Sequence, residues 1–248
     1  MDFLINVRGL CYEYDDGTKA LDGLNFHLFP GETVALLGAN GSGKTTFVLH
    51  LNGLLYGRGD VEVCGMRVNK QTAAAVRSKM GMVFQDSDEQ LFMPTVLEDV
   101  AFGPLNMGMS SVDAVVKATW ALRQVGMEHA LDRAPYHLSA GEKKRVALAG
   151  VLATSPEILV LDEPTTYLDP PAQRNLVQLL RRLPQSKLIV THDVAFASAL
   201  ATRAVFFENG KIAATGPVEE IVRRFDWDAN YSAAEEDPRL RYSAQRRL

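Results

Sequence analysis

Short apolar runs alternate with longer stretches of helical periodicity over most of the chain. The runs are rich in Val, Ile and Leu and predict buried strands. This alternation is typical of an α/β fold with a mainly parallel sheet and helical crossovers. The predicted strands are residues 3–7, 24–28, 33–37, 80–84, 158–161 and 188–190, with a hairpin over 61–63 and 66–68 and a turn at 15–17.

Helical periodicity is clearest in two places. A helix is predicted over residues 44–55, and residues 97–153 are predicted to be mostly helical. Because the longer block separates two groups of strands, it predicts an inserted helical subdomain within one domain spanning 1–225. In this block small and apolar residues recur at helical spacing: Ala114, Ala118, Ala121, Leu122 and Val125.

The last segment, 226–248, mixes acids, arginines, alanines and serines without a sustained apolar face. This composition predicts a mobile or loosely docked tail. The alternative is a helix that docks on a partner.

Composition narrows the class of protein. The chain has 248 residues, a net charge of -4 and two cysteines, so neither nucleic acid binding nor a disulfide framework is expected. No apolar run approaches the roughly 18 residues of a membrane span, and the first residues do not resemble a signal peptide. We therefore expect a cytoplasmic protein, or one bound to a membrane through other subunits.

A glycine-rich loop follows the strand predicted over 33–37 and precedes the helix that begins near Lys44. It matches the phosphate-binding pattern G-x-x-x-x-G-K-[ST] in full. In such a loop, backbone N–H groups and a helix N-terminus face the phosphates of a nucleotide triphosphate. We expect Lys44 to meet the β- and γ-phosphates, Thr45 to bind Mg²⁺ and Thr46 to hold the α-phosphate. The loop is Gly38, Ala39, Asn40, Gly41, Ser42, Gly43, Lys44 and Thr45.

Polar residues follow three more predicted strands. Asp162 and Glu163 come directly after 158–161, the Walker B pattern, so Asp162 is predicted to hold Mg²⁺ and Glu163 to act as general base on the attacking water. His192 follows 188–190 and is a candidate for orienting water at the γ-phosphate. Gln85 follows 80–84 and is a candidate for contacting Mg²⁺ and water. A structural role is the alternative for both.

Leu138-Ser139-Ala140-Gly141-Glu142 lies about 20 residues before Asp162. With the loop and the acidic pair, it resembles the signature of the ATP-binding cassette (ABC) ATPases, Leu-Ser-Gly-Gly-Gln, from which Ala140 and Glu142 depart. The resemblance covers residues 3 to 225. It implies a P-loop NTPase core, an N-terminal antiparallel β portion and the inserted helical subdomain.

The ABC resemblance also implies a head-to-tail dimer that holds two ATP molecules at its interface. Ser139 and Gly141 would contact the γ-phosphate bound to the other protomer, and Asp169 would link the two sites. Tyr14 matches the aromatic residue that stacks on adenine. Tyr12 is the alternative, and core packing is an alternative for Tyr14.

A narrower similarity lies in residues 83–92, 98–104 and 141–145, which look like the energy-coupling-factor (ECF) ATPases, particularly the cobalt type. This similarity implies a membrane scaffold (the T component), a substrate-capture membrane subunit and attachment at the cytoplasmic face of the membrane. Asp86, Asp88 and Glu89 are candidates to receive basic helices of the scaffold; a solvated acidic turn is the alternative.

Several alternatives remain at this point. Nickel or a vitamin could replace cobalt as the solute, and the partner ATPase could be identical or different. The rival functions are a conventional ABC importer, a soluble ABC protein acting on DNA or the ribosome, and a small-molecule kinase, which the signature segment disfavours.

Overall fold

Two β-sheets organise the computed structural model, which describes residues 3–227. The first is antiparallel, in the order β2-β1-β4-β5. The second has the order β10-β9-β3-β8-β7-β6 and is parallel except for β10. The strands are β1 (Ile5–Glu13), β2 (Lys19–Leu28), β3 (Thr33–Leu37), β4 (Arg58–Val63), β5 (Met66–Arg67), β6 (Met80–Val83), β7 (Ile158–Asp162), β8 (Ser186–Val190), β9 (Arg203–Glu208) and β10 (Lys211–Gly216).

Eight α-helices are present within residues 3–227, with short 3-10 helices at Ser87–Glu89, Glu128–Ala130 and Pro135–His137. The α-helices are α1 (Lys44–Leu51), α2 (Ala73–Lys79), α3 (Val96–Asn106), α4 (Ser111–Gln124), α5 (Ala140–Ala153), α6 (Pro170–Arg182), α7 (Val194–Leu200) and α8 (Val218–Arg224). None of these helices is long and apolar enough to cross a membrane. The predicted α/β class with an antiparallel β portion is confirmed.

The helices α3, α4 and α5 pack against one another around one apolar cluster. Thr95 and Glu98 form a capping box that fixes the start of α3, where two otherwise unpaired backbone N–H groups gain partners. All five residues whose spacing predicted helix here are buried. The cluster continues onto Leu159 and Leu161 of β7, so this helical region rests on the larger sheet.

Several element boundaries differ from the prediction. The helix predicted over 44–55 ends at Leu51, where Asn52 is the C-cap. Gly53 has a positive φ of 69°, and a right-handed helix cannot continue through a residue with that conformation. The strand predicted over 3–7 extends to Glu13. Register shifts and Gly9, at φ 60°, interrupt the alternation of buried and exposed side chains in this strand, so the sequence pattern did not reveal its second half.

The connections of the first sheet agree with the predicted turns. Tyr14 accepts a hydrogen bond from the N–H of Gly17 (2.9 Å), which closes the turn between β1 and β2. The hairpin of β4 and β5 turns through Cys64 and Gly65, both at positive φ (49° and 74°). Such angles suit the twist of a two-residue hairpin turn.

The described chain ends against β9. The ring of Phe225 stacks on Phe206 with centroids 3.9 Å apart, and Trp227 contacts the same ring edge-on at 5.1 Å. The predicted tail therefore begins with two residues, 226 and 227, that lie within the described chain, and Trp227 is docked. The rest of that prediction, 228–248, lies outside the described residues.

Candidate active site

The glycine-rich loop joins the end of β3 to the start of α1 at the carboxyl edge of the larger sheet. Two of its glycines are sterically required. A Cβ on Gly38 would collide with the backbone of Phe207, and a Cβ on Gly43 would lie 2.6 Å from the carbonyl oxygen of Ala20. Both have positive φ, 134° and 106°. Gly41, at φ 76°, instead faces open space, so the loop packs on one side and is free on the other.

A cavity of about 390 Å³ lies on the free side of this loop. Its volume is within the usual range for small-molecule sites. Most residues that the sequence predicted to bind nucleotide and magnesium line it together: Tyr14, Asn40, Gly41, Gly43, Lys44, Thr45, Thr46, Gln85, Asp162 and Glu163. Gly38, Ala39 and Ser42 lie in the loop but do not line the cavity.

Lys44 is buried at the base of the loop. Its Nζ donates to the carbonyl oxygens of Gly38 (2.7 Å) and Ala39 (2.9 Å). Burial lowers the pKa of Lys44, and the nearby carboxylates of Glu163 and Asp162 oppose that effect. An ammonium group held beside free backbone N–H groups and a helix N-terminus makes this a site for a polyanion such as a triphosphate.

Two carboxylates meet the loop from the end of β7. Burial raises the pKa of Asp162, the charge of Glu163 raises it further, and Lys44 and Lys144 act in the opposite direction. Glu163 Oε2 lies 2.8 Å from Nδ1 of His192. The predicted base and the predicted water-orienting histidine are therefore in direct contact, although the His192 side chain is 72% exposed.

The donor set of this cavity fits magnesium. A hydroxyl (Thr45), a carboxylate (Asp162) and an amide (Gln85) line it together, and all three offer the hard oxygen ligands that Mg²⁺ prefers. Within residues 3–227, no three His, Cys, Asp or Glu side chains converge to hold a metal alone. Mg²⁺ is commonly held by one or two carboxylates together with substrate phosphates, which matches this arrangement.

Tyr14 stands at the rim of the cavity, and Tyr12 does not line it. The Tyr14 hydroxyl hydrogen-bonds Thr46 Oγ1 at 3.0 Å, and the residue is 38% exposed. Tyr12 packs edge-on against His50, with ring centroids 4.7 Å apart. Of the two alternatives, only Tyr14 lines the cavity, and its stacking on adenine stays a prediction.

The signature residues lie elsewhere. Ser139 caps α5, Asp169 caps α6, and both line a second cavity of about 330 Å³ together with Gly141. An added Cβ on Gly141 would come within 3.2 Å of the Ala172 side chain, so α5 and α6 approach closely there. None of the residues of the glycine-rich loop lines this second cavity. One chain thus carries the predicted site residues in two separate groups.

Glu142, a departure from the signature pattern, forms a capping box with Ser139. One carboxylate oxygen accepts from the Ser139 N–H (2.8 Å) and hydroxyl (2.8 Å), and the other lies 3.2 Å from Arg133 Nη1. The backbone hydrogen bond from Ser139 is the largest cause that lowers the pKa of Glu142. A charged side chain therefore holds the signature serine in place.

Two residues near these cavities were not predicted. Lys144 lies on α5 with 3% exposure, and a sequence signal existed, since it falls one helical turn before the apolar Leu148. Tyr167 lines the second cavity at a positive φ of 66° and is 74% exposed. Nothing in the sequence pattern marks that conformation.

Comparison with known proteins identifies the family. A family model described as "ABC transporter" matches residues 21–166. The chain belongs to the ABC transporter ATPases. A putative ABC transporter ATP-binding protein of Geobacter sulfurreducens is 50% identical over 219 residues, 88% of each chain. The energy-coupling factor transporter ATP-binding protein EcfA of Methanothermobacter thermautotrophicus is 46% identical over 226 residues, covering 89% of this chain and 73% of that protein.

Two solved structures extend this comparison. CbiO1 of Clostridium perfringens, part of the ABC transporter complex cbiONQ, has a TM-score of 0.84 and 33% identity, covering 99% of this chain and 100% of that one. The ATP-binding cassette MJ0796, a dimer bound to ADP and Pi in a post-hydrolysis state, has a TM-score of 0.76 and 27% identity, covering 86% of this chain and 98% of that one.

These relatives confirm the resemblance to the ABC ATPases and to their ECF group. The chain is an ATP-binding subunit of an ABC transporter, and its activity is ATP hydrolysis coupled to transport. ABC ATPases act as dimers with membrane partners, which gives the two separate groups of site residues a common context.

Proposed function

We propose that this ABC ATPase powers an energy-coupling-factor transporter that takes up cobalt ion, working as a homodimer at the cytoplasmic face of the membrane. The group assignment is supported by the EcfA relative, and the solute by the sequence similarity to cobalt-type ATPases together with the likeness to CbiO1. In this proposal residues 1–225 form the ATPase domain and about 97–153 its helical subdomain.

The separation of Ser139 and Gly141 from the glycine-rich loop carries the proposal. Ser139 and Gly141 both line the second cavity, and no residue of the glycine-rich loop lines it. A head-to-tail dimer would bring the second cavity of one protomer to the glycine-rich loop of the other and so complete two nucleotide sites at once. Asp169, beside Ser139, would then link them. A complete set of both groups in one chain favours two identical protomers.

Within each site, the loop residues 38–46 bind the triphosphate and Tyr14 stacks on adenine. Lys44 leaves the carbonyl groups of its own loop to contact the β- and γ-phosphates, a charge-assisted bond. Thr45, Asp162 and Gln85 would hold Mg²⁺, which when bound neutralises developing charge on the phosphates. Lys44→Ala should therefore weaken ATP binding; an unchanged affinity in a titration contradicts this role.

Hydrolysis requires a base beside the γ-phosphate. Glu163 lines the cavity, and the 2.8 Å contact of its Oε2 with Nδ1 of His192 holds the carboxylate in place. In the proposed step Glu163 accepts the proton of the attacking water while His192 contacts the γ-phosphate. Glu163→Gln should keep ATP binding and lose nearly all turnover, roughly 10²- to 10⁴-fold.

Glu157→Gln is the matched control for this substitution, since Glu157 pairs with Lys79 on the surface (2.7 Å, both side chains 45% exposed). Its turnover should equal that of the wild type. Steady-state hydrolysis by Glu163→Gln near the wild-type rate would show that Glu163 is not the base.

The membrane partners proposed here are a scaffold (T component) and a substrate-capture subunit. Asp86, Asp88 and Glu89 form an acidic turn beside α5, and this turn is the proposed contact for a basic helix of the scaffold. Asp88 is 66% exposed while paired with Lys143 at 2.6 Å, so its carboxylate can exchange partners. Charge reversal at Asp88 and Glu89 should reduce co-purification with membrane subunits; unaltered recovery would remove this turn from the interface.

The solute is tested by purification and uptake together. Affinity purification of the chain from detergent-solubilised membranes should recover hydrophobic subunits, and their deletion should abolish uptake of radioactive cobalt. Uptake of nickel or a vitamin by the same complex, with no cobalt uptake, would correct the solute but keep the transporter. Recovery with ribosomes or DNA instead of membrane proteins would overturn the transport proposal itself.

A further inference from the structure

The loop that carries Gln85, residues 84–90, is fastened to helix α5 by a buried lysine. Lys144 Nζ donates to the carbonyl oxygens of Phe84 (3.0 Å) and Gln85 (2.8 Å). We call residues 84–90 the Gln85 loop. These two hydrogen bonds join backbone positions 59 and 60 residues away from Lys144.

Burial makes this lysine unusual. Lys144 is 3% exposed, and desolvation is the largest cause that lowers its pKa, while Asp86 and Asp162 act in the opposite direction. An ammonium group removed from water is costly unless its donors are satisfied, and here two carbonyl groups accept from two of its three N–H donors. An apolar side chain would fill this position of α5 without that cost. The geometry therefore points to a role for the ammonium group in holding the Gln85 loop.

Two weaker contacts join the same elements. Lys143 pairs with Asp88 at 2.6 Å, and Gln90 Nε2 donates to the carbonyl oxygen of Ala147 at 3.3 Å. Because Asp88 is 66% exposed, the Lys143 pair contributes little, as surface pairs usually do. Lys144 is the most buried residue of the three and donates directly to the backbone of Gln85.

Lys144 lies on the helix that begins at the signature serine. The N-cap of the helix, Ser139, lines the second cavity, and Gln85 lines the cavity of the glycine-rich loop. We propose that Lys144 is a positioning residue, which sets Gln85 in its own nucleotide site and couples the position of Gln85 to the position of α5. The signature contact with one nucleotide would thus set Gln85 at the other. This inference rests on the proposed role of Gln85.

The test is a double-mutant cycle on the purified full-length protein, with Lys144→Met, Gln85→Ala and both together. Lys144→Met keeps the apolar stem and removes the donors. We expect kcat to fall roughly ten- to hundredfold and the Mg²⁺ concentration for half-maximal activity to rise, with little change in KM for ATP, because a catalytic group is displaced while the residues that bind ATP stay in place. In the Gln85→Ala background, Lys144→Met should then change kcat by less than about twofold.

Lys143→Met is the matched control on the neighbouring residue and should keep the wild-type kcat and Mg²⁺ requirement. Additive losses in the cycle, or a lowered melting temperature with wild-type kcat and Mg²⁺ requirement, would overturn the positioning role. So would a Gln85→Ala variant with wild-type kinetics. If Lys144→Met does not fold, Lys144→Gln replaces it in the same cycle with the same criteria. All these measurements concern ATP hydrolysis, so a failure of the cobalt proposal leaves them unaffected.

Discussion

The choice between Tyr14 and Tyr12 as the adenine-stacking residue gives a prediction that separates binding from stability. Tyr14 is 38% exposed at the cavity rim, and Tyr12 packs against His50 and the side of Tyr14. Replacing each tyrosine by alanine should therefore damage different properties. Tyr14→Ala should weaken ATP binding, and Tyr12→Ala should weaken the fold.

The structure sets the expected magnitudes. Stacking of a base on an aromatic ring contributes about 1–3 kcal/mol, so Tyr14→Ala should weaken ATP binding roughly 5- to 150-fold. Its unfolding free energy should fall by about 1 kcal/mol, since the hydroxyl loses a single hydrogen bond to Thr46. Tyr12→Ala should cost about 2 kcal/mol of unfolding free energy, part of the loss known for fully buried rings.

The assay pairs a fluorescent-nucleotide titration with urea unfolding of the nucleotide-free protein. Tyr14→Phe is the matched control, because it keeps the ring and removes the hydroxyl that contacts Thr46. It should bind ATP as the wild type does. If Tyr12→Ala weakens ATP binding as much as Tyr14→Ala while its unfolding is unchanged, the assignment of Tyr14 to adenine is wrong.

Three further predictions concern charge. Glu142→Gln keeps the hydrogen bond to Ser139 and removes a negative charge near the proposed contact with the γ-phosphate. In a Glu163→Gln background, ATP-driven dimerisation followed by light scattering should therefore need roughly threefold less ATP. An unchanged ATP concentration for half-maximal dimerisation contradicts this. Burial raises the pKa of Asp162, so the folded state binds more protons and loses stability as pH rises through the folded pKa. Asp162→Asn should therefore raise the unfolding free energy at pH 7 while abolishing hydrolysis, and a lower unfolding free energy than that of the wild type would refute this cost. Burial lowers the pKa of Lys187 from 10.5 to about 8, so between pH 8 and 10.5 the unfolded state binds more protons than the folded state. The contribution of Lys187 to the unfolding free energy should therefore rise by on the order of 3 kcal/mol as the pH increases from about 8 to 10.5. Urea unfolding curves of Lys187→Met should lack that rise.

Three interior strands of the larger sheet, β3, β7 and β8, could be predicted because burial on both faces leaves an apolar run. The strands β3 and β8 are buried at every position, and β7 at all but Asp162. The hairpin of β9 and β10 was not predicted, although Asn209-Gly210 turns it with both residues at positive φ (49° and 74°). That dipeptide is a strong hairpin signal. The order of the strands depends on pairing between distant segments, which periodicity does not encode.

The active-site residues could be named from motifs, but their division between two cavities could not be derived from spacing. Asp162 and Asp169 are close in sequence and line different cavities. The segment between them contains Glu163 and Tyr167 at positive φ (40° and 66°), and these conformations redirect the chain. The contact of Lys144 with the Gln85 loop was also beyond the sequence, because it joins residues 59 and 60 positions apart.

The contacts of Lys44 with Gly38 and Ala39 have a thermodynamic consequence for nucleotide capture. A free lysine side chain loses up to about 2 kcal/mol of rotamer entropy when it is fixed, but this one is already held by its own loop. Phosphate binding then exchanges one set of acceptors for a stronger, charged set. The lysine's share of ATP affinity should accordingly be measured as enthalpy in calorimetry, with little entropic penalty from that side chain.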